Sequence, residues 1–180
     1  MIKTLKSYKI NIFRLAFLFL VLIFTINFYY APDAAAGIRK APNFNSRVLN
    51  PVTSGFKNFQ LKNFNGHVVV INFWATWCPP CRHEIPMFKN FYKSERSKGV
   101  IVVGINVNNS IGGVRSFLKQ YNIMYPVVYA SSEIISDYGG ISDIPQTFFI
   151  SKNGRLMFHW VGEISKGALY GITDKLLKMN

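Results

Sequence analysis

Apolar positions along this chain fall into three kinds of run. The first is unbroken: residues 68–74 read VVVINFW and residues 100–107 read VIVVGINV, each long enough for one buried strand, the second of the type found in parallel sheets. The second recurs at helical spacing. After Pro79 and Pro80, which suit the opening of a helix, Ile85, Met87, Phe88, Phe91 and Tyr92 mark one helical face as far as Gly99, a C-terminal stop. Pattern and caps predict further helices over 114–121, 132–138 and 166–179. The third kind is short and broken by turn formers. Residues 42–64 set Phe44, Val48, Leu49, Val52, Phe56, Phe59 and Leu61 among Asn50, Pro51, Ser54 and Gly55, which predicts a hairpin, and Asn65-Gly66 supplies a turn before the first long strand. Residues 125–129 predict a strand, and 148–150 with 156–161, joined by the Lys152-Asn153-Gly154 turn, predict a second hairpin. No internal repeat or low-complexity segment is present.

The N-terminus follows another rule. Lys3, Lys6, Lys9 and Arg14 precede residues 15–26, of which only Thr25 is not apolar, and the apolar character continues weakly to Ala31. A run that is apolar all round, at the terminus and behind a positive flank, predicts an export segment with its positive end in the cytoplasm. Ala34 and Ala36 form an A-x-A pattern that a signal peptidase could cut. Residues 15–31 are also just long enough for an uncleaved anchor. Residues 1–36 are therefore expected to be a signal peptide or signal anchor with a short linker, and 37–180 one domain.

With 180 residues, 49% of them hydrophobic and 16% aromatic, the chain can bury one sizeable core and is too short for two ordinary domains. From Gly37 onward it carries 17 Lys or Arg against seven Asp or Glu, a net charge of +10, with the charges dispersed. An extracytoplasmic setting and the lack of a recognition motif argue against a nucleic-acid surface. Solvation, anionic headgroups and an acidic protein partner all fit the basic balance.

The chemistry sits at the junction of the first long strand and its helix, in Cys78-Pro79-Pro80-Cys81, which holds both cysteines of the chain. This spacing places the second sulfur one turn beyond the first, so a disulfide can close without backbone movement. Unpaired N–H groups and the helix dipole beside Cys78 favour its thiolate. The pattern predicts a redox dithiol, with Cys78 accessible as the attacking nucleophile and Cys81, less exposed, as the resolving thiol. A zinc site lacks ligands, since there is no second C-x-x-C and His67, His83 and His159 stand singly. A structural staple is a poor reading because so short a loop restrains little of the unfolded chain. Trp74 is expected to pack, and Trp77 to shield Cys78 and offer an apolar surface to a partner chain.

The segment INFWATWCPPCRHEIP, with Ile144-Pro145-Gln146-Thr147 further on, resembles the TlpA/ResA group of membrane-associated bacterial thioredoxin-like proteins, which includes the oxidoreductases of cytochrome c maturation. The likeness covers roughly residues 41–178. It implies an α/β thioredoxin-like fold carrying an N-terminal β-hairpin and an inserted helix and strand between about 111 and 130. It also implies a cis Ile144-Pro145 bond packed against the disulfide, with neighbouring backbone groups that pair with an extended substrate. Asn72 stands where the resemblance to thioredoxin leads one to expect a buried Asp, and an amide cannot accept a proton. Glu84 is the candidate replacement, three residues after Cys81 and on its side of the helix; a glutamate at this spacing is linked to the dithiol in the group. The rival reading of Glu84 is an acid placed to favour the helix dipole.

The expected function is an exported thiol-disulfide oxidoreductase on the periplasmic side of the bacterial inner membrane, reducing disulfides of other exported proteins, apocytochrome c among the candidates. Its site residues are Cys78, Cys81 and Glu84, with Trp77, Ile144 and Pro145 against substrate. It needs no bound cofactor. No nicotinamide or flavin motif is present, so electrons are expected from a membrane thiol transporter. The alternatives are a disulfide oxidase or isomerase and, in another class, a copper metallochaperone using Cys78, Cys81 and His159.

Overall fold

The computed structural model describes residues 39–108 and 110–179, together with Val21 in the N-terminal segment. The expected export segment at 15–31 and the A-x-A pattern at Ala34 and Ala36 lie outside the described residues, Val21 apart. Among the described residues no helix is long and apolar enough to cross a membrane. The chain divides into two units at 36/37, and every element below belongs to the unit from Gly37 onward.

That unit contains β1 (Asn45–Arg47), the one-turn helix α1 (Pro51–Ser54), β2 (Asn58–Gln60), β3 (Val68–Trp74), α2 (Pro79–Glu95), β4 (Val100–Asn106), α3 (Ile111–Gln120), β5 (Val127–Tyr129), α4 (Ser132–Asp137), β6 (Gln146–Ile150), β7 (Leu156–Val161) and α5 (Lys166–Leu177). β1 and β2 pair antiparallel, and the other strands form one sheet in the order β5-β4-β3-β6-β7. β3, β4 and β5 run parallel, β6 pairs antiparallel with β3, and β7 pairs antiparallel with β6, so β6 alone runs against the rest of the sheet. This is the thioredoxin-like order with the implied hairpin and inserted helix and strand.

The unbroken apolar run of β3 has a cause in the layers. Successive side chains point to opposite faces of a strand, and here both faces are covered. Val68, Val70 and Trp74 enter a core with Ile85, Phe88 and Phe91 of α2, Leu118 of α3 and Leu169 of α5. Val69, Ile71 and Phe73 enter a second core with Phe44 and Phe59 of the hairpin and Ile134 and Tyr138 around α4. Each such side chain contributes about 1.5–3 kcal/mol on burial. Asn72 has the parity of Val70 and Trp74 and therefore faces α2.

Several elements differ from the sequence expectation, β6 by starting at Gln146 rather than 148 and α5 by ending at Leu177 rather than 179. The first hairpin encloses α1 in its loop, closed by Gly55 in the left-handed region (φ 79°), and Asn50 ties it to the inserted segment. The Asn50 amide nitrogen donates to Ile123 O and Tyr125 O at 2.9 Å each, and its oxygen accepts from the Val127 N–H at 3.0 Å. The inserted strand starts at Val127 rather than 125, since Pro126 has no N–H for a ladder. The inserted helix starts three residues before 114 despite Gly112 and Gly113, because burying Val114 and Leu118 outweighs their weak helix propensity.

Candidate active site

β3 ends at Trp74, and the chain turns through Ala75, Thr76 and Trp77 into α2. Cys78 occupies the N-cap position with extended backbone, and the Cys81 N–H donates to its Sγ at 3.2 Å. The two cysteines are joined in a disulfide, with Cα atoms 5.3 Å apart. The turn is held by polar side chains that the sequence reading did not single out. Asn108 Oδ1 accepts from the Thr76 N–H at 2.9 Å, its Nδ2 donates to Thr76 Oγ1 at 2.6 Å, and buried Asn106 donates to Asn108 Oδ1 at 3.1 Å and to Trp74 O at 3.4 Å.

The turn does not leave Cys78 accessible. Cys78 is 3% exposed and Cys81 2%, so the expected contrast between an open and a covered sulfur is absent. Both belong to the α2-side core, and Ile144 packs on that cluster with its carbonyl oxygen 3.8 Å from Cys78 Sγ. The Ile144-Pro145 bond is cis, as the resemblance implies. Trp77 is 66% exposed beside the site, whereas Trp74 is fully packed, its Nε1 buried without a partner among the described residues.

Glu84 is buried on the sheet-facing side of α2. Its Oε1 accepts from the Ile164 N–H at 2.6 Å and its Oε2 from Asn72 Nδ2 at 3.4 Å, while Asn72 also donates to Thr147 Oγ1 at 3.2 Å. Burial raises its pKa from 4.5 to about 7; the two hydrogen bonds pull the other way, and the nearby charge of Glu163 adds to the rise. The helix-dipole reading of Glu84 gives way to a desolvated carboxyl tied to β3 and to the segment before α5. That segment also meets the Pro145 loop, since the Gly162 N–H donates to Pro145 O at 2.8 Å.

Thr147 could have been suspected, because it follows Pro145 in the quoted motif and pairs in register with Asn72. Nothing in the sequence marks the Ile164 N–H, 80 residues beyond Glu84. His159 is engaged elsewhere, with Nε2 2.8 Å from Gln146 Oε1 and its ring stacked on Phe148. Burial and the Arg39 charge depress its pKa. Among the described residues no group of three or more His, Cys, Asp or Glu could hold a metal ion, so the ligands of the copper alternative are not brought together.

A thiol pair at a helix start, a neighbouring peptide edge and a buried carboxyl that titrates near neutrality can exchange a disulfide and store the proton that the exchange moves. Comparison with known proteins points to the same chemistry. The pattern of the AhpC/TSA family matches residues 38–159. The thiol-disulfide oxidoreductase ResA of Bacillus subtilis (strain 168) is 36% identical over 130 residues, covering 72% of this chain and 70% of that protein. ResA of Bacillus anthracis is 31% identical over 138 residues, 77% of each chain. Among solved structures, a thiol:disulfide interchange protein of the thioredoxin family from Chlorobium tepidum TLS matches with a TM-score of 0.70 and 34% identity, covering 78% of this chain and 97% of that one.

Proposed function

Since the chain belongs to the AhpC/TSA family and is a ResA-like thiol-disulfide oxidoreductase, we propose that it is exported, held at the outer face of the cytoplasmic membrane by its N-terminal segment, and works as a reductase of disulfides in other exported proteins. The C-x-x-C of an apocytochrome c is a fitting substrate. A membrane thiol transporter would return the electrons.

In this reading the Cys78 thiolate attacks one substrate sulfur, the substrate S–S bond breaks, and the departing thiolate takes a proton. Cys81 then gives its proton to Glu84 and attacks Cys78 Sγ. The Cys78–Cys81 disulfide closes, the second substrate thiol leaves, and two electrons have passed to the substrate. Trp77 and the backbone at Ile144 and Pro145 would hold the substrate segment.

The observation that carries the reductive direction is the burial of both sulfurs, 3% and 2% exposed, in a core shared with apolar side chains. A strong oxidant is one whose reduced, thiolate form is stabilised. Desolvation and a carboxylate at Glu84 work against a thiolate here, opposed by the helix start and the one Cys81 N–H at 3.2 Å from Cys78 Sγ. A dithiol little stabilised as thiolate gives up its electrons readily. Equilibrating the unit from Gly37 with glutathione or dithiothreitol buffers tests this. A potential near the roughly −270 mV of thioredoxin supports the reductase, and one near the roughly −120 mV of a disulfide-forming oxidase overturns it.

A further inference from the structure

One end of the five-stranded sheet gathers exposed cations. β3, β4 and β5 finish at the sulfur end. The opposite end is made of the turns that lead into β3 and β4, the turn joining β6 to β7, and the entry of the chain from its N-terminal segment. Two contacts fix that entry, the bridge of Lys40 with Arg155 and the Leu156 N–H donating to Arg39 O at 2.9 Å. Lys152 Nζ donates to Leu177 O at 2.6 Å and brings the end of α5 to the same place.

Arg39, Lys40, Lys62, Arg96, Lys98 and Lys178 are all exposed at this end. The acids facing them are few. Glu95 is buried and accepts from Lys98 Nζ at 2.9 Å, and Asp174 on α5 acts on Lys98 from nearby. Lys40 and Lys62 also line, with Asn43, Asn65 and Ser151, a cavity of about 60 Å³ between the start of β3 and the end of β6.

We infer that this end of the molecule rests on an anionic lipid surface, with headgroup phosphate held between Lys40 and Lys62 and the Cys78–Cys81 end turned away from the bilayer. Spread cations, two of them beside a small cavity that also offers Asn43, Asn65 and Ser151, suit a layer of phosphates. Among the described residues this end exposes Met124, Met179 and Val52, the last on α1 beside Ile123, as large apolar side chains, and no aromatic anchor of the kind around which a protein interface is built. The described part of the unit from Gly37 also begins here, at Arg39 and Lys40. Its use as the tether end rests on the anchored reading above; the attraction to lipid does not.

The test uses the unit from Gly37, which holds every described strand and both cores. It is sedimented with vesicles of phosphatidylcholine alone and of phosphatidylcholine with phosphatidylglycerol at two to one. Binding is expected only to the anionic vesicles and is expected to weaken with salt. Each cation near such a surface is worth roughly fivefold in binding, so Lys40→Gln/Lys62→Gln should bind roughly 25-fold more weakly. Arg96→Gln/Lys178→Gln, at the same end but away from the cavity, should weaken it too. Lys166→Gln/Arg82→Gln removes equal charge at the sulfur end, at the starts of α5 and α2, and should change binding by less than about threefold. Equal binding to neutral vesicles, no binding to anionic ones, or equal losses in all three double variants would overturn the inference, the last by reducing it to net charge without a preferred face. Fractionation of the full chain with membranes tests anchoring separately.

Discussion

Replacing Glu84 by Gln should change how the stability of this protein depends on pH. Burial lifts the Glu84 pKa from 4.5 to about 7 in the folded protein, against the pull of the Ile164 N–H at 2.6 Å and Asn72 Nδ2 at 3.4 Å. Below the unfolded value both states hold the proton, between the two values only the native state does, and above the folded value neither does. The native state therefore binds more protons in that window, and its stability falls as pH rises through it. At about 1.4 kcal/mol per pH unit the loss is about 2–4 kcal/mol. Glutamine carries no such proton. Its oxygen can accept the Ile164 N–H, but its amide meets Asn72 Nδ2 donor to donor, a mismatch costing about 1 kcal/mol. Glu84→Gln is thus expected to be less stable than the wild type by about 1 kcal/mol near pH 4.5 and more stable by about 1–3 kcal/mol at pH 8. Urea unfolding of the disulfide form of both proteins, from pH 4 to 8.5, measures the difference directly. A difference that stays constant with pH would refute the buried, neutral carboxyl. If Glu84 is also the proton acceptor, Glu84→Gln should lower the disulfide-exchange rate at neutral pH by on the order of 100-fold.

Trp77→Ala should leave the urea midpoint almost unchanged, within about 0.5 kcal/mol, because the side chain is 66% exposed; kcat/KM should fall for a protein disulfide and hold for a small one, and an equal fall for both would remove the docking role. Gly104→Ala should cost about 1–3 kcal/mol, since a Cβ there would stand 2.9 Å from Trp74 Nε1, 3.2 Å from Val127 and 3.3 Å from Tyr125; an unchanged denaturation midpoint would contradict this packing. Asn50→Ala removes the partner of two buried carbonyls and one buried N–H, so a loss of about 2–4 kcal/mol is expected, with faster amide hydrogen exchange at Val127 as the local sign.

The strands, the helices and the redox pair were legible in the chain because each rests on a local rule. A run of seven residues buried on both faces is apolar except where a polar side chain finds buried partners, as Asn72 does, and β3 runs over 68–74 as expected. Two prolines and two cysteines at a helix start define a dithiol whose own parts lie within one turn. The parity of Asn72 with Val70 and Trp74 would even have turned it toward α2.

What the tertiary structure alone decided depends on distances between parts remote in sequence. Sequence placed Cys78 at an open turn, but the packing of Ile144, 66 residues later, covers it. Sequence put Glu84 on the side of Cys81, but only the approach of Ile164 and Asn72, within a core that excludes water, makes it a carboxyl that titrates near 7. A strand or a helix is fixed by the residues that form it, whereas exposure and proton affinity are set by whatever the rest of the chain brings alongside.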